Sequence, residues 1–407
     1  MKITGITTYR LESGLGEASF YSSQCLFERR VSLLVEIATD EGTCGWGECG
    51  QYGPKEPIES CIHDVFAPML IGRDPTETEP IWNQLYCMTR DFGQKGCYIE
   101  ALSGIDIANW DIRGKALGVP VHSLLGGAFR TRITPYATGC YYGSNRQTPL
   151  KEVLAGHQEE ASGYIRDGFK FIKVKIGLLS IEEDKKRLKA IREAVGDDVG
   201  ILVDANHAYR ADTAVRMGRI LEEAGVLFFE EPVPPEDYRG YAFVRGKLDL
   251  AIAGGECEYT RYGFSQLMDQ ECVDIVQPDI CVMGGLSEFQ KVLAMATVRN
   301  KQVIPHVWGS GVAVASSLHA IAAIPPSPFT ADPVPLQGEP VVEFDRTHNP
   351  LRDELLVEKL TLDSEGKVST PTGPGLGIEI DRSVLEKYTL ASRTSGKPFL
   401  SKELAHV

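Results

Sequence analysis

Apolar and polar residues follow two different patterns along the first third of the chain. Within residues 1–55 they alternate, as at 31–37, and a turn follows at Asp40-Glu41-Gly42. A period of two predicts antiparallel strands. From about residue 57 to 117 the spacing becomes helical, and residues 101–112 read as an amphipathic helix. The pattern predicts an α+β region that ends near Gly126-Gly127.

From residue 133 onward, short apolar runs alternate with helical patterns such as those at 182–195, 213–224 and 286–298. The candidate strands lie at 133–138, 170–176, 200–203, 226–229, 250–253, 273–276, 302–305 and 340–344. Eight strands with helices between them predict an α/β fold of the (β/α)₈ TIM type. The active site of such a barrel lies at the C-terminal ends of its strands.

The length of the chain requires more than a barrel. It has 407 residues, of which 43% are hydrophobic, whereas a plain barrel needs about 250 residues. We predict an α+β capping domain at 1–127 and a catalytic barrel at 128–353. Residues 354–384 are expected to return to the capping domain, and residues 385–407 to form a loose tail.

Three carboxylates follow predicted strands at equal intervals. Asp204, Glu230 and Glu256 each come after an apolar run and are spaced 26 residues apart. Because parallel strand ends converge in a barrel, these acids should meet at one mouth and repel one another unless a cation binds them. Oxygen ligands favour Mg²⁺, with Mn²⁺ as an alternative. A helix N-cap explains one such acid but not all three.

Two lysines lie on the predicted strand at 170–176. Lys173 and Lys175 are two residues apart, so their side chains share one face of the strand, which should be the barrel interior. Crowding two cations lowers the pKa of at least one of them, and a neutral amine can act as a general base. The alternative is a pair of solvent-facing lysines on an edge strand.

Asp279 and His306 follow the next two strands. Asp279 lies 23 residues after Glu256, and His306 lies 27 residues further on. An aspartate that accepts a hydrogen bond from a neighbouring histidine fixes the imidazole tautomer and raises its basicity. A lone histidine is more often structural, but this pairing favours catalysis. Glu343, which closes the eighth strand, is a further and weaker candidate.

Charge and composition narrow the choice of partners. The formal net charge of -14 argues against nucleic acid and favours a small-molecule substrate. Ten cysteines without a C-x-x-C pair suit reduced thiols in a cytoplasm. The N-terminus shows no leader pattern, and no apolar run reaches about 18 residues, so we expect a cytoplasmic protein without a membrane span.

Several motifs together resemble the mandelate racemase subgroup of the enolase superfamily. In order along the chain they are Lys173-Val174-Lys175, Asp204-Ala205-Asn206, Glu230-Glu231-Pro232, Gly254-Gly255-Glu256, Gln277-Pro278-Asp279 and Pro305-His306. The resemblance extends over almost the whole chain and includes Gly45-Trp46-Gly47-Glu48. It implies a modified, enolase-like barrel under an α+β capping domain that the C-terminal segment completes.

The resemblance also implies roles for individual residues. Asp204, Glu230 and Glu256 would bind Mg²⁺, and Lys175 and His306 would act as acid and base on opposite faces of the substrate. Lys173 and Glu343 would contact the substrate carboxylate. Loops near 14–25 and 49–54 would select the substrate, and the expected assembly is an even-numbered homo-oligomer, for example an octamer. The expected substrate-binding residues are Tyr21, Gln51, Asn206 and Trp308.

The substrate is an acid sugar or its lactone by the same resemblance. Residues 306–311 and 343–350 are similar to a galactarolactone cycloisomerase branch, whereas residues 256–264 are similar to acid-sugar dehydratases. We therefore predict Mg²⁺-dependent removal of the α-proton to give an enediolate, followed by β-elimination. The alternatives are racemisation or epimerisation, metal-assisted aldol cleavage, and a non-catalytic sugar-binding barrel.

Overall fold

The N-terminal region combines long antiparallel strands with a layer of helices, as the sequence pattern predicts. The computed structural model describes residues 1–397. Its first strands are β1 (Ile3–Gly14), β2 (Phe20–Tyr21), β3 (Leu26–Phe27), β4 (Arg29–Thr39) and β5 (Cys44–Glu48). The helices are α1 (Glu56–Ser60), α2 (Ala67–Leu70), α3 (Thr78–Thr89), α4 (Cys97–Leu117) and α5 (Val121–Leu124), and a π-helical stretch, Cys61–Phe66, joins α1 to α2. β4 pairs antiparallel with both β1 and β5.

Two glycines allow α4 to lie directly against β5. A Cβ atom on Gly47 would lie 1.9 Å from the carbonyl oxygen of Gly104, and one on Gly45 would lie 2.2 Å from that of Ala108. The amphipathic helix predicted over 101–112 differs in one respect, because every residue of that stretch is buried. α4 packs against the sheet on one side, and on the other Asp106 accepts a 2.6 Å hydrogen bond from the hydroxyl of Ser287, in the second half of the chain.

The second half of the chain forms the predicted parallel sheet of eight strands. These are β7 (Pro135–Gly139), β9 (Phe171–Lys175), β10 (Gly200–Asp204), β11 (Val226–Glu230), β12 (Ala251–Gly254), β13 (Ile275–Val276), β14 (Gln302–Val303) and β17 (Val342–Asp345). Short strands beside them are β6 (Arg132–Ile133), β8 (Tyr142–Gly143), β15 (Val334–Pro335) and β16 (Gly338–Glu339). The sheet runs β14-β13-β12-β11-β10-β9-β7-β17. Val307 donates its N–H to Glu343 at 3.2 Å, so the two ends of the sheet also meet, as in a (β/α)₈ barrel.

A helix of 8 to 17 residues follows each of the first seven barrel strands. These helices are α6 (Leu150–Arg166), α7 (Ile181–Val195), α8 (Ala211–Glu223), α9 (Tyr238–Arg245), α10 (Thr260–Asp269), α11 (Gly285–Val298) and α12 (Gly311–Ala322). Only a short helix, α13 (Pro350–Asp353), follows the eighth strand. Across residues 1–397, we find no helix that combines the length and the apolar composition needed to cross a membrane.

Strand alternation places an apolar layer directly beneath a polar one inside the barrel. Leu202 and Phe228 belong to a buried interior cluster together with Tyr136, Ala253, Ile275 and Ile304. Two residues further along the same strands, on the same face, come Asp204 and Glu230. The register pairs Asp204 with both Lys175 and Glu230. The charged side chains therefore lie one pleat above a closed apolar floor.

Two sets of buried polar contacts join the N-terminal capping region to the barrel, one made by Glu48 and one by Arg30. Glu48 of β5 accepts hydrogen bonds from the N–H and hydroxyl of Ser310 at 3.0 and 2.6 Å and from the N–H of Ala313 at 3.0 Å. Arg30 of β4 forms a buried 2.7 Å ion pair with Asp345 at the end of β17. Both contacts lie at the carboxyl ends of the barrel strands, so they fix the capping region over the mouth.

The last strand of the described residues belongs to the N-terminal sheet. The C-terminal elements are β18 (Val368–Ser369), α14 (Arg382–Tyr388) and β19 (Thr389–Gly396). Within the predicted tail, residues 389–396 are not loose, because they form β19, which pairs antiparallel with β1. Without β19, one edge of β1 would have unpaired backbone N–H and C=O groups, which favour the addition of another strand. Because these hydrogen bonds join main-chain atoms, the apolar pattern of the sequence does not reveal them. Residues 398–407 lie outside the described residues, and the boundaries at 127/128 and 353/354 stay predictions.

Glu48→Ala should lower the free energy of unfolding by roughly 3 kcal/mol, because it leaves several buried donors without their charged acceptor. Urea unfolding followed by circular dichroism measures the change. Ser32→Ala, which removes a single 2.7 Å donor to the same carboxylate, is the matched control and should cost about 1 kcal/mol. Equal midpoints for Glu48→Ala and the unaltered protein would show that this contact does not hold the two regions together.

Candidate active site

The three equally spaced carboxylates meet at the mouth of the barrel. One oxygen from each of Asp204, Glu230 and Glu256 lies within 4.8 Å of the others, and all three side chains are buried. Asp204 and Glu230 end neighbouring strands in register. Glu256 comes two residues after β12, where Gly255 adopts a left-handed φ of +128° that returns the chain toward the mouth. The spacing in the sequence thus corresponds to one cluster in space.

Two hydrogen-bond donors fix the orientation of two of these carboxylates. The side-chain amide of Gln277 donates to Glu230 Oε2 at 2.8 Å, and the backbone N–H of Asn206 donates to Asp204 Oδ1 at 2.8 Å. Groups of this kind fix the rotamers of metal-binding side chains. The sequence pattern assigns Gln277 no role of its own, although it begins the motif Gln277-Pro278-Asp279.

Both lysines of β9 point into this cluster. Lys173 Nζ lies 2.7 Å from Glu230 Oε1 and 2.7 Å from Glu343 Oε1, and Lys175 Nζ contacts Asp204. Burial lowers the pKa of Lys173, but the carboxylates of Glu230 and Glu343 outweigh burial and hold that pKa well above its usual value. For Lys175 as well, Asp204 outweighs burial and raises the pKa.

The predicted effect of crowding on the lysine pKa values is therefore wrong for this arrangement. Repulsion between Lys173 and Lys175 does lower the pKa of Lys175, but attraction to the surrounding acids is larger. The sequence showed the two lysines as neighbours and did not show how closely the acids surround them. With the side chains arranged as they are, both amines carry a proton near neutral pH.

His306 faces the cluster from the other side and is held by Asp279. Its Nδ1 lies 2.7 Å from Asp279 Oδ2, and its Nε2 lies 3.5 Å from Glu256 Oε2 and 3.9 Å from Glu343 Oε2. The backbone N–H of Cys281 fixes Asp279 with a 2.7 Å hydrogen bond. Burial lowers the pKa of His306, but Glu256, Asp279 and Glu343 together raise it to about 10.

The mouth holds more acids than bases. The buried acidic side chains are Asp204, Glu230, Glu231, Glu256, Asp279 and Glu343, and the buried basic ones are Lys173, Lys175 and His306. Burial and neighbouring acids raise the pKa of Glu230, and burial with the charges of Glu256 and Asp204 raises that of Glu231. A hard divalent cation fits this set, because it would bind the oxygen ligands and offset the excess negative charge.

The two candidate acid/base groups approach the cluster from different strands. Lys175 ends β9, whereas His306 follows β14, and β10 to β13 separate these strands along the sheet. The strands of the three clustered acids lie within that interval. A substrate bound over the acids would therefore have Lys175 on one side and His306 on the other.

A cavity of about 920 Å³ leads from the surface to this cluster, and both Lys175 and Glu256 line it. Three of the expected substrate-binding residues, Gln51, Asn206 and Trp308, line it as well. Tyr21 does not, although its neighbours Ser22, Gln24 and Cys25 do. β2 pairs with β3 and β8, and Arg146 lies over the Tyr21 ring at 5.6 Å, so that ring belongs to the small sheet beside the cavity.

Tyr52 is a site residue that sequence reasoning missed. Its hydroxyl lies 3.3 Å from Glu256 Oε1 and 3.3 Å from His306 Nε2, and its ring stacks on Trp308 with centroids 5.3 Å apart. Its place within the loop at 49–54, directly after Gln51, was the available signal. Side-chain direction in an irregular loop cannot be read from periodicity.

Comparisons with known proteins agree with this geometry. Residues 19–126 match the N-terminal domain of the mandelate racemase/muconate lactonizing enzyme family, and residues 157–384 match the enolase C-terminal domain-like family. The D-galactarolactone cycloisomerase of Agrobacterium fabrum is 43% identical over 390 residues, which cover 96% of this chain and 99% of that relative.

Two further relatives carry dehydratase names. The arabinonate dehydratase of Saccharolobus solfataricus is 38% identical over 393 residues, which cover 96% of this chain and 100% of the relative. A crystal structure of an L-talarate/galactarate dehydratase variant, liganded with Mg and L-glucarate, superposes with a TM-score of 0.83 at 28% identity. That comparison covers 97% of this chain and 94% of the dehydratase.

Glu230→Gln should weaken Mg²⁺ binding by at least roughly tenfold, because one anionic oxygen ligand is lost from the cluster. Isothermal titration calorimetry measures the dissociation constant. Asp197→Asn makes the same change of charge at an exposed position before the other end of β10, and it should bind Mg²⁺ like the unaltered protein. Equal dissociation constants for Glu230→Gln and Asp197→Asn would contradict the assignment of Glu230 to a metal site.

Proposed function

The chain belongs to the mandelate racemase/muconate lactonizing enzyme family of the enolase superfamily, and on that premise we propose that it removes the α-proton of an acid sugar or its lactone and then eliminates the β-oxygen. One observation carries this proposal: Lys175 and the His306–Asp279 pair flank a buried cluster of three carboxylates. Proton abstraction next to a carboxylate needs a base, an acid and stabilisation of the developing negative charge.

Asp204, Glu230 and Glu256 would hold the metal ion. Mg²⁺, or Mn²⁺ in its place, would supply positive charge that stabilises the enediolate oxygens. Lys173 supports the same role, because its ammonium group lies beside Glu230 at 2.7 Å, where it can also donate to a substrate carboxylate. Glu343, 2.7 Å from Lys173, holds that ammonium group in place.

The pKa values of the two acid/base residues depend on different neighbouring carboxylates. The carboxylates that raise the pKa of Lys175 are Asp204 and Glu230, which are both proposed metal ligands. Carboxylates engaged with a cation attract a nearby ammonium less, and Lys173 still repels it. His306 is attracted most strongly by Glu256, which is also a proposed ligand, but it keeps Asp279 and Glu343, which are not in the ligand set. We assign Lys175 as the base and His306, which stays protonated, as the acid.

The elimination then follows from these positions. Lys175 Nζ takes the α-proton, the electron pair forms the carbon–carbon double bond, and the β-carbon–oxygen bond breaks as His306 Nε2 donates a proton to the leaving oxygen. If that oxygen is a free hydroxyl, water leaves and the enol becomes a keto acid. If it is the ring oxygen of a lactone, the ring opens and no atom is lost. One site thus serves dehydration and cycloisomerisation.

Racemisation or epimerisation is the second candidate function. It is favoured by the same placement of Lys175 and His306 on two sides of the cluster, because a proton removed on one side could be replaced from the other. The substrate in either case is a small carboxylate rather than nucleic acid, given the net charge of -14. The cytoplasmic location and the even-numbered assembly stay predictions.

Lys175→Ala and His306→Asn should each lower turnover of an acid sugar or aldarolactone by roughly a hundredfold or more, the usual scale for a general acid or base. Exchange of the α-proton in D₂O, followed by NMR, separates the two roles. His306→Asn should still exchange the proton, because the base remains, whereas Lys175→Ala should not.

Lys170→Ala and His348→Asn, both at exposed positions, are the matched controls and should keep normal turnover. Exchange that survives in Lys175→Ala but is lost in His306→Asn would reverse the assignment. Turnover at the normal rate in both active-site variants would remove these residues from the mechanism.

Asp279→Asn should move the alkaline limb of the pH–rate profile to lower pH by about 1 to 2 units. The acid works while His306 is protonated, and activity is lost as the pH rises through its pKa. Asp279 contributes to the raised pKa, so its removal lowers that pKa and brings the loss to lower pH. Asp269→Asn, on the exposed surface of α10, serves as the control. An unchanged alkaline limb would mean that His306 does not set it.

A further inference from the structure

A second group of ligating side chains lies beside the acidic cluster. His207, Glu231 and Cys257 each offer one atom, and these atoms lie within 4.8 Å of one another. None of the three residues takes part in the proposed elimination. From their geometry we propose that they form a second metal site, specific for a borderline-soft divalent cation such as Zn²⁺ and distinct from the Mg²⁺ site.

The two distances from His207 to the other ligands are close to those of tetrahedral coordination. His207 Nε2 lies 3.2 Å from Glu231 Oε2 and 3.7 Å from Cys257 Sγ. Zinc bonds of about 2.0–2.3 Å at tetrahedral angles place neighbouring ligand atoms about 3.3–3.6 Å apart. The ligating atoms of Glu231 and Cys257 lie within 4.8 Å of each other, so side-chain rotations can bring all three onto one ion.

The backbone holds two of these ligands in unusual conformations. His207 has a φ of +63° and Glu231 a φ of +45°, a region that side-chain-bearing residues rarely adopt. The N–H of His207 donates to the carbonyl oxygen of Glu231 at 2.9 Å, which fastens the two turns together. Their side chains consequently meet although β10 and β11 have already ended.

The site is open on one side. His207 and Cys257 both line the 920 Å³ cavity, so an ion can enter there and keep a fourth position for water. His207 Nδ1 is buried, and the residues of the described chain give it no hydrogen-bond partner. Ligating histidines usually donate this second N–H to an acceptor, so we expect reversible binding of moderate affinity rather than a permanent structural ion.

The ligand types separate the two sites. Thiolate and imidazole select Zn²⁺ or Co²⁺, whereas carboxylate oxygens alone suit Mg²⁺. Binding converts the Cys257 thiol to a thiolate, and its proton passes to solvent. Two of the three ligands adjoin the Mg²⁺ cluster in sequence, since Glu231 follows Glu230 and Cys257 follows Glu256, and His207 comes three residues after Asp204. A second cation so close to the first should inhibit the enzyme by repelling it.

Co²⁺ provides a direct test, because a thiolate–cobalt bond gives a charge-transfer absorption in the near ultraviolet that an all-oxygen site does not give. Co²⁺ is titrated into the full-length protein at saturating Mg²⁺. The band should appear with a stoichiometry of one, disappear in Cys257→Ser, and persist in Cys25→Ser, which alters an exposed cysteine that also lines the cavity. Glu230→Gln should keep the band, so this test does not depend on catalysis.

Zinc inhibition provides the second readout. At saturating Mg²⁺, Cys257→Ser should raise the Zn²⁺ concentration for half-inhibition at least roughly tenfold, while Cys25→Ser leaves it unchanged. A wild-type protein without the cobalt band, or a band that survives in Cys257→Ser, would overturn the proposal. Equal zinc inhibition in both cysteine variants would also overturn it, because zinc would then act at the carboxylate cluster.

Discussion

The excess of buried negative charge at the barrel mouth is the constraint on which the rest of the structure depends. Six buried carboxyl groups face three basic groups there. Isolated carboxylates are costly to bury, so they persist only where cations and hydrogen-bond donors surround them. Lys173 is shared between Glu230 and Glu343, and Gln277 orients Glu230 from behind. A divalent cation would complete the balance.

The fold places this cluster on the strands that build the core. Because side chains two residues apart share a face, Leu202 and Phe228 form the apolar floor while Asp204 and Glu230 stand above it. Above the cluster, the capping region is held by Glu48 and Arg30, whose barrel partners lie at the same ends of the strands. The charged layer is therefore enclosed except where the cavity reaches Lys175 and Glu256, which limits the water that could otherwise screen it.

The sequence predicts those features that depend on regular spacing. Strand and helix periods locate the eight barrel strands, and the 26-residue intervals identify the carboxylates that converge. Features that depend on several neighbours at once were missed. The direction of the pKa shift at Lys175 depends on how many acids surround it. The position of Tyr52 depends on the path of an irregular loop. The strand β19 forms because β1 offers it a free edge. Tyr21, expected to bind the substrate, does not line the cavity, and Arg146 lies over its ring.

The need for a divalent cation is tested most directly by removing it. Protein treated with EDTA and then freed of chelator should turn over no acid sugar or aldarolactone, and added Mg²⁺ should restore the rate, because the clustered carboxylates lack a countercharge without it. Full turnover by protein shown by elemental analysis to contain no metal would contradict this account of the site.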